Sequence, residues 1–163
     1  MKQNFKIGGI FSVRCIGPDG VVKWEDEAKN LIPDAGLNNI LDVVFSGSSA
    51  TTAWYIGLKN TGAVAAADTS SSHTGWTENS NYTGNRQAFV EVGAVTKSIT
   101  NSASVASFPI TVDSQTIAGA FMDSAATGTA GILISAANFT GGNKSADNGD
   151  TLEVTYTVSA SST

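Results

Sequence analysis

From Thr151 to Val158 the chain alternates without a slip. Leu152, Val154, Tyr156 and Val158 are apolar, while Glu153, Thr155 and Thr157 between them are polar. Successive side chains of a strand point to opposite faces, so a period of two describes a ribbon with one dry and one wet face. Such a ribbon must press its dry face against another layer, which restricts the chain to a small set of β architectures.

The same signature recurs along the chain. Phe5-Lys6-Ile7 and Ile10 to Ile16 read as one long strand, with Gly8-Gly9 predicting a bulge or bend. Gly17-Pro18-Asp19-Gly20 is a turn that leads into Val21-Val22-Lys23-Trp24, an N-terminal hairpin. Glu25-Asp26-Glu27 reads as a solvated strand exit. Further strands are expected at Trp54 to Leu58, Gln87 to Val95, Ser104 to Val112, Thr116 to Asp123 and Gly131 to Ala137. Short strands separated by Gly- and Asn-rich turns predict an antiparallel β-sandwich or jelly-roll-like single domain over residues 1–163. Residues 159–163 carry no anchoring side chain and are expected to fray.

One segment departs from the β pattern. Ala35, Leu37, Ile40, Leu41, Val44 and Phe45 recur at helical spacing after Pro33 and Asp34, predicting a short α-helix over residues 34–45 with Asp34 as N-cap. Its apolar stripe is expected to be core.

Charge narrows the function classes. Only 14% of residues are charged, against roughly 25% in ordinary soluble domains. Ser, Thr, Asn and Gly take their place, a surface suited to proteins that pack side by side. The formal charge is −5 and the nine Lys and Arg are scattered, so the basic stripe that nucleic acid requires is missing. No apolar run approaches the ~18 residues that span a bilayer. The N-terminal residues lack the pattern of a secretory signal, which predicts synthesis in a reducing cytoplasm. Cys15 is the only cysteine, so no internal disulfide can form; its alternating surroundings predict a buried, inert thiol.

The long polar run from Ala66 to Glu78, followed by Asn81 to Arg86, holds the only His. Loops this long usually have a task. Trp, Tyr and Arg dominate binding hot spots, so His73, Trp76, Glu78, Tyr82 and Arg86 are the candidate partner-binding residues. Catalytic readings find less support. One His and one Cys cannot build a tetrahedral zinc shell. Asp147-Asn148-Gly149-Asp150 has calcium-loop chemistry but no closing Glu, and reads as a hairpin turn. Ser70, Ser71 and Ser72 precede His73 without a nucleophile elbow. Nothing selects a glycosidase-like pair among Glu25, Asp26, Glu27, Glu78 and Glu91. The sequence predicts a non-enzymatic protein without cofactor or metal.

Several segments together carry a resemblance. They are Val22 to Asp26, Asn30, Gly36-Leu37-Asn38, Ile40-Leu41-Asp42, Trp54 to Leu58, Ala67-Asp68-Thr69, Ser72-His73-Thr74-Gly75-Trp76-Thr77-Glu78, Tyr82 to Arg86, and Asn148 to Tyr156. With these the chain resembles small virion structural proteins of tailed bacteriophages, over nearly its whole length. The resemblance implies a capsid decoration or cement protein on the outer capsid surface, partnered by the major capsid protein and by itself as a homotrimer, with neither nucleic acid nor membrane as partner. A tail or fibre-associated module for host attachment is the alternative it implies. Fibre shafts show repeats and none occurs here, which favours cement.

Overall fold

The structure is a computed structural model and describes residues 4–162. In chain order its elements are β1 (Phe5–Ile16), β2 (Val22–Lys29), α1 (Asp34–Phe45), β3 (Tyr55–Lys59), β4 (Glu78–Asn79), β5 (Gln87–Ala88) and β6 (Ser98–Thr100). They continue with β7 (Ala106–Pro109), β8 (Gln115–Ile117), β9 (Gly119–Asp123), β10 (Leu133–Asn138), β11 (Lys144–Ala146) and β12 (Thr151–Ser162). Two antiparallel sheets form a β-sandwich. The first runs β2-β1-β12-β6, with β7 also on β12; the second runs β10-β9-β3-β4, with β5 also on β3. β8 and β11 make a separate two-stranded ribbon.

The alternation that stands out in the sequence builds the centre of the first sheet. β12 pairs with β1 along its whole length, from Phe5 opposite Ser162 to Ile16 opposite Thr151. Phe11, Val13 and Cys15 from β1, with Leu152, Val154 and Tyr156 from β12, turn inward onto Ile56, Leu58, Ala120 and Met122 of the second sheet. The phenyl ring of Phe11 stacks on Tyr156 with centroids 4.0 Å apart.

Two expectations about this ribbon are corrected. Residues 159–162 do not fray: each is paired with β1, because the ladder itself supplies the anchor their side chains lack. Residue 163 lies outside the described residues. Gly8-Gly9 forms no bulge, since the register with β12 runs through both without a shift. Gly9 is needed for space, as a Cβ there would lie 2.6 Å from the Tyr156 ring and hydroxyl.

Buried polar groups tie the sheets together. The Asn30 side-chain amide donates to Ser135 Oγ and to the Tyr156 hydroxyl, both at 2.9 Å, while its carbonyl accepts the Gly9 N–H. Asn101, fully buried, fills the gap along β12 between β6 and β7. Its Oδ1 accepts the Tyr156 N–H at 2.7 Å and its Nδ2 donates to the Val154 carbonyl at 3.2 Å, so one side chain replaces a missing stretch of strand.

The charged segment Glu25-Asp26-Glu27 belongs to β2 and is not a strand exit. The outer edge of β2 is covered. Thr140 N–H donates to the Glu27 carbonyl at 3.0 Å, Gly141 N–H to the Asp26 carboxylate, and Trp24 Nε1–H to the Ser145 carbonyl at 2.8 Å. Lys144 pairs with Asp26 at 2.9 Å. Burial pushes the Asp26 carboxyl up, but Lys144 and the N–H groups of Gly141 and Glu27 outweigh it and hold the group below its usual range.

α1 spans the predicted residues, but Pro33 occupies the N-cap and Asp34 opens the first turn. The Asp34 N–H is taken by the Ala66 carbonyl at 2.8 Å, so a chain carbonyl does the work assigned to a side chain. The expected Gln87–Val95 strand is also shorter: only Gln87–Ala88 pairs with β3, and the rest runs as an arm to a tight turn where Thr96 and Lys97 have φ of 51° and 64°.

Removing the Asn101 amide leaves a buried N–H and a buried C=O without partners. Asn101→Ala should therefore lower unfolding stability by about 2–4 kcal/mol, read by urea denaturation.

Candidate functional site

The residues from Asn60 to Thr77 lie against the outer face of the second sheet. Phe121 of β9 and Leu133 and Ala136 of β10 point outward there, and Trp76 and Val64 cover them to make a second, smaller core. Gly57 makes the arrangement possible: a Cβ on it would stand 2.4 Å from the Phe121 ring.

Trp76 is the keystone of this cover, with 4% of its surface exposed. Its ring packs on Phe121 at 5.2 Å and stacks on His73 at 4.1 Å. Its Nε1–H donates to Asp68 Oδ2 at 2.9 Å, which also accepts the Ala65 N–H at 2.9 Å. His73 Nδ1–H donates to the Trp76 carbonyl at 3.0 Å. Lys59, without exposed surface, sits with Nζ 5.6 Å from the centre of the same indole and donates to the carbonyls of Asn60 at 3.0 Å and Gly62 at 2.9 Å. Burial pulls the Lys59 ammonium down to about 8, with Asp68 pulling partly back.

Arg86 closes the other side of Phe121, its guanidinium carbon 5.0 Å from the ring centre. Nε and Nη2 form a bidentate pair with Glu78 at 2.9 and 2.8 Å, and the remaining donors reach the carbonyls of Ala125 and Gly128, both at 2.9 Å. Asp123 Oδ1 lies 3.4 Å from Nη1 and accepts the Ala125 N–H at 2.8 Å. Arg86 and Asp123 thus hold the 124–131 loop. Burial works against the charged guanidinium, and the carboxylates of Glu78 and Asp123 overcome it, raising its pKa.

This corrects the reading of the loop as a docking surface. His73, Trp76, Phe121, Arg86 and Glu78 form one continuous stack, but Trp76 and Arg86 are buried inside the molecule and already have their partners. Tyr82 is separate: it is buried in the main core, edge-on to Phe108 at 4.9 Å. The partner that Trp76 and Arg86 serve is their own sheet.

The surface that sequence reasoning missed is on α1. Gly36 is the one buried residue of the helix; it stands against the Ile134 backbone, where a Cβ would meet Ile134 at 3.0 Å. Ile40 and Val43 share that side and are half-buried. Leu37, Leu41 and Val44 follow one position on, a flank rotated by about 100°. They expose 40, 54 and 63% of their surface, and Phe45 exposes 80%. Beside them a groove of about 370 Å³ opens between the two sheets, with Ile7, Val44, Trp54, Phe89 and Val158 in its walls. Val90, Val92 and Val95 of the neighbouring arm are also exposed. The signal was in the sequence: seven apolar residues in a twelve-residue helix exceed what one packed side requires.

The other candidates have structural duties. Lys23 bridges Asp147 at 3.2 Å and Asp150 at 2.7 Å, tightening the 147–150 turn. Arg14 pairs with Glu153 at 2.6 Å on the open face of the first sheet. Cys15 is fully buried with Sγ–H directed at Asp150 Oδ2; burial first, then the Asp150 charge, push the thiol up to about 12. Among the described residues no group of three or more His, Cys, Asp or Glu is placed to hold a metal ion, and no helix is long and apolar enough to cross a membrane. No protein-family model matches the chain, and no curated protein matches it at a significant level.

Trp76→Ala should cost about 3–5 kcal/mol of unfolding stability, the range of a large aromatic lost from a packed core, measured by denaturant titration. A variant with unchanged stability would return Trp76 to the role of surface anchor. Cys15 should resist a water-soluble thiol reagent at pH 8 in the folded protein and react at once in 6 M guanidinium, because the thiolate forms only on opening.

Proposed function

We propose that this protein is a structural component of a tailed-bacteriophage virion that docks onto an assembled particle as a capsid decoration or cement protein. The carrying observation is the uncovered apolar flank of α1, Leu37, Leu41, Val44 and Phe45, beside the groove between the sheets. Apolar patches of a few hundred Å² on a soluble domain mark interaction sites. The resemblance to small phage virion proteins supplies the class of partner: the major capsid protein, with further copies of the same chain completing a homotrimer. The docking face is thus the helix end of the sandwich.

The chemistry agrees with a role in assembly. The buried or half-buried carboxylates Asp26, Glu78, Asp123 and Asp150 each face a Lys or Arg of this chain. A contact through aliphatic side chains in a chain of low charge also predicts binding that persists in moderate salt.

A protein that binds only the assembled shell stabilises it by RT ln(1 + [L]/Kd), about 2.7 kcal/mol per site at a hundredfold excess over Kd. Particles stripped of the protein should rupture at lower temperature and recover on adding it back. Leu41→Glu and Val44→Glu should abolish that recovery while leaving the isolated domain's melting temperature nearly unchanged, since both positions are exposed. Saturation at a few copies located at the tail would overturn the cement assignment in favour of the tail. Sedimentation of the released protein as a monomer would overturn the trimer.

A further inference from the structure

The outer face of the second sheet sets an amine and a carboxamide in one row. Lys59 of β3 pairs with Gly119 of β9, and Gly119 pairs with Asn138 of β10. The row shares its face with Phe121 and Ala136, two residues along their strands, beneath the 60–77 cover. The middle position has no side chain, and a Cβ there would stand 1.9 Å from the Ala137 carbonyl oxygen. Lys59 therefore reaches across the middle strand, and Nζ lies 2.5 Å from Asn138 Oδ1.

The acceptors around Nζ give this contact a direction. As an ammonium, Lys59 spends its three N–H groups on the carbonyls of Asn60, Gly62 and Asn138. A neutral amine keeps two N–H groups, which the main-chain carbonyls of Asn60 and Gly62 can hold. The third direction, which the ammonium uses toward Asn138 Oδ1, is left to its lone pair, and the atom that lone pair can attack is Cγ, bonded to that oxygen. Burial draws the amine down to about 8, so the neutral form is well populated under mildly alkaline conditions. A nucleophile held this way meets its carbonyl at a high effective concentration. Asn138 itself is exposed, so a leaving group can escape to solvent.

From this geometry we propose that Lys59 and Asn138 join in an intramolecular isopeptide bond. Nζ attacks Cγ of Asn138 and a C–N bond forms. The Cγ–Nδ2 bond breaks, one amine proton passes to the departing nitrogen, and ammonia leaves. No oxidant, reductant or cofactor takes part. The product ties β3 to β10 over β9 and fastens the start of the 60–77 cover.

Intact-mass spectrometry of the wild-type chain, fresh and after incubation from pH 6 to 9, tests this without a variant. The expected result is a species lighter by one ammonia and a proteolytic fragment joining the peptide of Lys59 to that of Asn138. Its formation should be roughly tenfold faster at pH 7 than at pH 6, following the free-amine fraction. Lys59→Arg and Asn138→Ala should yield no joined fragment. Succinimide formation at Asn148-Gly149 also releases ammonia but joins no peptides and persists in Asn138→Ala. Full mass after prolonged incubation at pH 9, or ammonia loss without the joined fragment, overturns the proposal.

Discussion

The pairing of β1 with β12 is the constraint on which the rest of the fold depends. Twelve residues near one end of the chain lie in register with twelve near the other. Every other part of the first sheet is attached to one of these two strands: β2 to β1, and β6 and β7 to β12. The inward side chains of the pair supply six of the twenty buried residues of the main core. Exact register matters because a slip by one residue would turn Phe11, Val13, Leu152, Val154 and Tyr156 toward water and Arg14 and Glu153 inward. Gly9 guards that register, since the Tyr156 ring fits only over a residue without a side chain.

The second sheet solves a different problem. Both its faces carry apolar residues, yet the partner sheet covers only one. A helix would be the usual second cover, but α1 touches the sheet near its edge, through Gly36. The outer face is closed by irregular chain, and irregular chain must satisfy its own polar groups. Lys59, Asp68, His73 and Arg86 do so, each spending its donors or acceptors on nearby backbone. This explains why polar residues accompany Trp76: they satisfy the backbone groups on the inner side of a segment whose outer side meets water.

The sandwich class, the hairpin of β1 and β2, the helix at 34–45 and the buried Cys15 were legible because each rests on local periodicity or turn chemistry. What was not legible depends on distant partners. Leu37, Leu41 and Val44 have the spacing of a buried stripe, and nothing local reveals that the sheet reaches only Gly36, Ile40 and Val43. Trp76 and Arg86 are hot-spot residue types in any context; that they flank Phe121 is set by a strand more than thirty residues away in the chain. Asn101 is a plain turn residue by sequence, and its part in the β12 ladder follows only from where β6 stops. The Lys59–Asn138 contact requires two strand pairings to be known at once.

The covered edge of β2 has a consequence for crowding. A bare strand edge invites a neighbour to extend the sheet, and repeated extension ends in fibrils. Here the Glu27 carbonyl is already taken by Thr140, and the Asp26 carboxylate is engaged by Gly141 and Lys144. Another chain approaching this side meets acidic side chains and an occupied hydrogen-bonding edge. Copies of the protein brought close together can therefore meet through side chains on this side without their first sheets fusing across the β2 edge.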